Sequence, residues 1–157
     1  MKPLVVILMG SPADLDHSRA IKKAAENLGL KVEMRTGSAH RTPEHVLQLL
    51  RTYEQDPRPK VYVTVAGRSN ALSGFTDPQV SAPVIACPPP GPETDIWSSL
   101  RMPPGVACAY IAEPSNAAMF AAKILAHHDK DVADHIAREQ ASQRERVIAA
   151  DGELRNV

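Results

Sequence analysis

The stretch Gly37-Ser38-Ala39-His40-Arg41-Thr42-Pro43-Glu44-His45 sets a titratable imidazole beside a permanent cation. Thr42 suits a helix N-cap and Pro43 the first helical position, so His40 and Arg41 fall at the mouth of a helix. That placement has two readings: a decorated surface turn, or a place where an anion is held and a proton moved. Histidine takes and returns a proton near neutral pH, and the arginine fork matches phosphate. Two further loops of small residues carry comparable chemistry. Gly10-Ser11-Pro12-Ala13-Asp14 precedes a helix whose first N–H groups favour an anion. Asp14 suits either two adjacent hydroxyls, as a ribose presents them, or the N-cap of that helix. In Ala66-Gly67-Arg68-Ser69-Asn70-Ala71-Leu72-Ser73-Gly74, Gly67 and Ser69 suit close approach of a planar ring, or else a plain strand-to-helix turn.

The elements that must position these loops follow from periodicity. Leu4–Met9 is an unbroken apolar run, the pattern of a strand buried on both faces. A helix follows from about Asp14 to Leu28, with Ile21, Ala24, Ala25 and Leu28 on one side, and Gly29 ends it. Lys31–Arg35 reads as a second strand and Pro43–Gln55 as a second helix that buries Val46, Leu49, Leu50 and Tyr53. Further strands are expected at Lys60–Gly67, Pro83–Pro88 and Val106–Ala112, and helices at Pro114–His128 and about 129–150. This alternation predicts an α/β fold with a central parallel sheet covered by helices on both faces. Five strands suit a three-layer, flavodoxin-like sandwich in the order 2-1-3-4-5, plus a C-terminal helix. No repeat, low-complexity tract or long linker divides the chain, so residues 1–157 are expected to form one domain. In such a sheet ligands bind beyond the carboxyl ends of the strands, where the strand order reverses. Strands two, one and three would then bring all three loops to one crevice.

Composition narrows the function further. Lysine and arginine (18) balance aspartate and glutamate (18), which argues against a general nucleic-acid or anionic-membrane surface. An anion must therefore be held by a local site. Cys87 and Cys108 lack metal-ligand spacing and are expected to be buried free thiols in a reducing compartment. The apolar opening Leu4–Gly10 is too short to span a bilayer and lacks the pattern of a signal peptide, so a cytoplasmic location is expected. Neither GxGxxG nor GxxxxGK[ST] occurs. His17, His45, His127, His128 and His135 are expected at the surface, and Trp97 in packing or an interface. Two non-catalytic modules share the predicted fold. A phospho-acceptor domain needs an Asp at the end of the third strand, where Ala66-Gly67-Arg68 stands. A flavin-binding module needs aromatic side chains to flank the flavin, and aromatics are only 4% of this chain.

Taken in order, MGSPAD, SAHRTPE, VAGRSNALSG, ACPPP, DIWSSLRMPPGV and NAAMFAAKIL resemble the phosphoribosylaminoimidazole carboxylases of purine biosynthesis. The resemblance spans roughly residues 4–126. That family has two branches. Mutases move a carboxylate from N5 to C4 of carboxyaminoimidazole ribonucleotide and carry a histidine-containing AAHLPG-like loop after the third strand. Carboxylases use free carbon dioxide and carry AGRSN.LSG, which Arg68–Gly74 resembles. Two positions depart from the carboxylase pattern: Arg41 stands where lysine is usual, as in the mutases, and Ala13 replaces a serine.

The resemblance implies that C4 of aminoimidazole ribonucleotide attacks carbon dioxide without metal, biotin or pyridoxal. His40 would then remove the proton left on C4 and return it in the reverse direction. Ser11, Asp14, Ser38 and Arg41 would hold the ribose phosphate, while Gly67 and Ser69 border the imidazole and the carbon dioxide. The small polar Ser69 and Asn70 suit a neutral guest. The resemblance also implies a homo-oligomer, a tetramer or octamer, with the last helix packing on a neighbouring subunit.

Overall fold

The computed structural model describes residues 1–155; residues 156 and 157 lie outside the described part. Five parallel strands form one sheet: β1 (Leu4–Met9), β2 (Lys31–Thr36), β3 (Lys60–Val65), β4 (Val84–Ala86) and β5 (Ala109–Tyr110). Their order is β2-β1-β3-β4-β5, as the strand–helix alternation predicts. Six α-helices accompany them among the described residues: α1 (Leu15–Asn27), α2 (Pro43–Glu54), α3 (Ala71–Thr76), α4 (Trp97–Leu100), α5 (Pro114–Leu125) and α6 (Lys130–Leu154).

The central strand β1 shows why the sheet must be covered twice. Its side chains alternate between faces with the period of two that any strand imposes. Val5, Ile7 and Met9 enter a core with Ile21 and Ala25 of α1, four alanines of α5 (117, 118, 121 and 122), and Val132 and Ile136 of α6. Leu4, Val6 and Leu8 enter a second core with Val46, Leu50 and Tyr53 of α2 and Leu72 of α3. All six β1 side chains are buried, each contributing about 1.5–3 kcal/mol of transfer free energy. The fully buried alanines let α5 lie close against α1. Gly29 ends α1 at φ +82°, and its N–H donates to the Glu26 carbonyl at 3.0 Å. A side chain there would also press on His135 of α6, whose ring nitrogen would lie 3.3 Å from the added carbon.

Several boundaries differ from expectation, for local reasons. A 3-10 turn (Pro12–Asp14) precedes α1, so the helix proper begins at Leu15. β5 is only two residues long; at its start Ala107 N–H donates to the Asp77 carboxylate (2.8 Å) and Val106 N–H to the Pro103 carbonyl (3.1 Å). Both N–H groups are thereby committed outside the ladder. Helices α3 and α4, six and four residues long, have no counterpart in the periodic pattern, and Trp97 on α4 is 57% exposed. α6 runs four residues beyond the expected end. Only Val132 and Ile136 of it are buried, and Val147, Ile148 and Leu154 face outward.

Register decides where the site lies. Met9 pairs with Thr36 on one side and Val65 on the other, so β1, β2 and β3 end at the same level. The three loops that follow start side by side.

Candidate functional site

A cleft of about 1160 Å³ opens beyond the carboxyl ends of the strands. Ser11, Asp14, Ser38, His40, Arg41, Gly67 and Ser69 all line it, so every site residue expected from the sequence faces one cavity. Its other walls are the proline loop Pro88–Pro92, Asp95 and Ile96, and Tyr110 and Glu113 from the end of β5.

The first loop is drawn tight by its neighbour. Gly10 N–H donates to the Val65 carbonyl at 2.8 Å, and an added Cβ would lie 3.1 Å from the Ala66 methyl. Asp14 stands at the N-cap of α1 but does not cap it with its side chain. Its Oδ2 instead accepts from Ser11 N–H (3.0 Å) and Ser11 Oγ (3.2 Å). The carboxylate is thereby held in the cleft wall, nearly buried, with Ser11 fixed beside it.

In the second loop Gly37 N–H continues the ladder to the Met9 carbonyl (2.9 Å). Thr42 occupies the N-cap of α2, but its hydroxyl serves Ser38 rather than the helix. Thr42 Oγ1 accepts from Ser38 N–H (2.9 Å) and donates to the Ser38 carbonyl (3.3 Å), and Arg41 N–H donates to Ser38 Oγ (3.2 Å). This closed turn ties down the backbone of Ser38 and the N–H groups of Arg41 and Thr42, and the side chains of His40 and Arg41 are exposed at the cleft. His45 is exposed as expected and donates to the Thr36 carbonyl at 3.2 Å.

The third loop corrects one expectation. Ser69 is exposed in the cleft, but Asn70 is 3% exposed and fully engaged, so its side chain does not reach a guest. Its amide caps α3 by accepting from Ser73 N–H. Arg68 precedes it at φ +57°, the left-handed region that few non-glycine residues occupy. An added Cβ at Gly67 would meet Pro89 at an ordinary 3.4 Å, so this glycine leaves room without packing demanding it.

His17 is the second correction. It is half-buried rather than at the surface, with Nε2 3.6 Å from Cys87 Sγ. Burial lowers its pKa, against the opposing pull of hydrogen bonding at Cys87 and the charges of Asp14 and Glu113. A cysteine 70 positions away gives no signal at the level of sequence spacing. The cysteines are free, Cys87 buried and Cys108 half-buried. Burial pushes their thiols up to about 12 and about 11, so neither is a nucleophile at neutral pH. Among the described residues no group of three or more His, Cys, Asp or Glu side chains is placed to hold a metal ion. No helix among them is long and apolar enough to cross a membrane.

Strand order and cleft position define a flavodoxin-like α/β protein whose candidate active site sits at the switch point between β1 and β3. The family model for AIR carboxylase matches residues 4–146. Phosphoribosylaminoimidazole carboxylase of Treponema denticola is 47% identical over 99% of this chain and 99% of its own length. The enzyme of that name from Archaeoglobus fulgidus is 47% identical over 96% of this chain and 84% of its own. The crystal structure of Treponema denticola PurE matches with a TM-score of 0.96 at 47% identity, covering 98% of this chain and 99% of that one. The chain belongs to the AIR carboxylase family and is an enzyme of purine biosynthesis.

Proposed function

We propose that this enzyme carboxylates C4 of 5-aminoimidazole ribonucleotide with carbon dioxide, reversibly, giving 4-carboxy-5-aminoimidazole ribonucleotide on the route to IMP. The observation that carries the reading is the convergence of the three in-register loops, with His40 and Arg41 projecting into one cleft beside Arg68–Gly74. Anchoring falls to Ser11, Asp14, Ser38 and Arg41. Arg41 pairs with the phosphate, the Ser38 hydroxyl still has its proton to donate, and the Asp14 carboxylate accepts from ribose hydroxyls. Gly67 and Ser69 border the ring, where the absence of a Cβ leaves space for a planar edge.

In the chemical step the electron-rich C4 attacks the carbon of CO2. A C–C bond forms, one C=O π pair moves to oxygen, and C4 becomes tetrahedral with its proton still attached. His40 removes that proton, the C–H pair restores the aromatic ring, and the same imidazolium returns the proton in decarboxylation. Exclusion of bulk water from the cleft would protect the carboxylated intermediate.

The loop after β3 supports carbon dioxide as the donor, since it lacks the histidine of the mutase loop. Arg41, mutase-like in type, favours the alternative of N5-to-C4 transfer. The two are separated by rate measurements with aminoimidazole ribonucleotide plus labelled bicarbonate/CO2 and with the N5-carboxylated nucleotide. Turnover of the first with full incorporation of label is the expected result. Rapid stoichiometric conversion of the second, undiluted by label, overturns it. The enzyme works as a tetramer or octamer in this reading. The outward Val147, Ile148 and Leu154 of α6 support a second copy as their cover, which sedimentation of the full chain tests.

A further inference from the structure

Beneath the third loop lies a connected set of buried polar groups that the proposed chemistry does not use. Asn70, Ser73, Thr64 and Ser99 are each at most 3% exposed. The proton directions can be assigned. Thr64 Oγ1 lies 3.3 Å from the Ile85 carbonyl, which can only accept, so Thr64 donates there. Ser73 Oγ must then donate to Thr64 Oγ1 (2.8 Å) and accept from Asn70 Nδ2 (2.7 Å). The other Nδ2 proton goes to Ser99 Oγ at 3.0 Å, while Oδ1 accepts from Ser73 N–H at 3.3 Å. Every position of the Asn70 amide is thus specified, and the chain runs one way from the loop into β3 and β4.

A second branch grips the strained residue. Ser98 Oγ accepts from Asn70 N–H (2.9 Å) and lies 3.2 Å from the Arg68 carbonyl and 2.7 Å from that of Asp95, both acceptors. Arg68 holds its left-handed backbone between these contacts. Arg68 and Ser69 line one wall of the cleft and Asp95 and Ile96 another. The hydroxyls of α4 therefore bolt two walls together behind the place where the carboxyl group is added.

We propose that Asn70, Ser98 and Ser99 are positioning residues that set the backbone at Arg68–Ser69 for the carboxyl-transfer step, without touching substrate. The inference deepens the functional reading and rests on its placing of the carboxyl group at this loop. The phosphate-holding loops are not bonded to the network through any of these contacts, so the effects on chemistry and on nucleotide binding should separate.

The test uses the full-length enzyme with the donor that the wild type itself is found to use, so a wrong donor assignment does not masquerade as failure of the clamp. Ser98→Ala and Ser99→Ala should lower kcat tenfold or more while changing the nucleotide Kd by less than twofold. Ser98→Thr, which keeps the hydroxyl, should recover most of the lost kcat. Asn70→Asp, which replaces both donors by acceptors, should be more damaging than either serine variant. Because it also buries a charge and could fail to fold, the serine variants decide. Folded serine variants with kcat within twofold of wild type would overturn the proposal. So would kcat and nucleotide affinity falling together in proportion, or Ser98→Thr behaving like Ser98→Ala, since each would mark a merely structural role.

Discussion

Gly37 sits where β2 turns toward His40, and adding one methyl group there should disturb both stability and chemistry. An ideal Cβ at Gly37 would lie 2.7 Å from Val46 Cγ2. Carbon atoms pack comfortably at about 3.5–4.0 Å, so roughly 0.8 Å must be found. Val46 is 1% exposed, lies in the first turn of α2, and has essentially one rotamer in a helix. The strain therefore passes to the backbone: α2 shifts outward, or the loop carrying His40 and Arg41 shifts into the cleft. Overpacking of this kind costs about 1–3 kcal/mol. For a chain of 157 residues, each kcal/mol moves Tm by about 2–4 °C. Gly37→Ala should then lower Tm by roughly 2–12 °C and reduce turnover by up to about 10²-fold, the cost of ångström-scale misplacement of reacting groups. Val46→Ala removes the obstructing methyl at a cost of about 2 kcal/mol for the lost burial. In Gly37→Ala/Val46→Ala the clash is absent, so the double variant should be at least about 1 kcal/mol more stable than the sum of the single changes predicts. Urea denaturation of all four proteins gives that coupling energy. Additivity within about 0.5 kcal/mol would refute the close-approach explanation for this glycine.

Three other outcomes are expected. His40→Asn should lower carboxylation and decarboxylation by ~10²–10⁴-fold while nucleotide binding persists; turnover within threefold of wild type would remove His40 as the proton carrier. Arg41→Ala should weaken binding of the nucleotide far more than of the dephosphorylated nucleoside, as read by calorimetry, and equal losses would place Arg41 away from the phosphate. Burial holds the His17 pKa below its ordinary 6.5, so the unfolded chain takes up that proton first as pH falls. The contribution is complete above 6.5 and is lost as pH drops from there to the folded pKa. Denaturation at several pH values should therefore show a smaller loss of stability below 6.5 for His17→Gln than for wild type, and parallel curves would contradict the burial.

Features written within a few consecutive residues were legible in the sequence by itself. Six apolar residues in a row made β1 a doubly buried strand, Gly29 ended α1, and Thr42-Pro43 marked the start of α2, because periodicity and end-capping are local. The motifs around His40 and Arg41 carried the family, and the site residues they implied all line the cleft. The short α3 and α4 left no periodic signal because four to six residues hold fewer than two helical turns. Asn70 looked like a polar loop residue open to a guest. Only packing shows it buried against Ser99, 29 positions onward, where an unpaired amide would be costly. The depth of His17 beside Cys87, the hydroxyl serving Ser38 in place of an N-cap, and the common level at which β1, β2 and β3 end were decided the same way. Each depends on which distant groups share a dry space and must satisfy one another, and residue order alone does not state that.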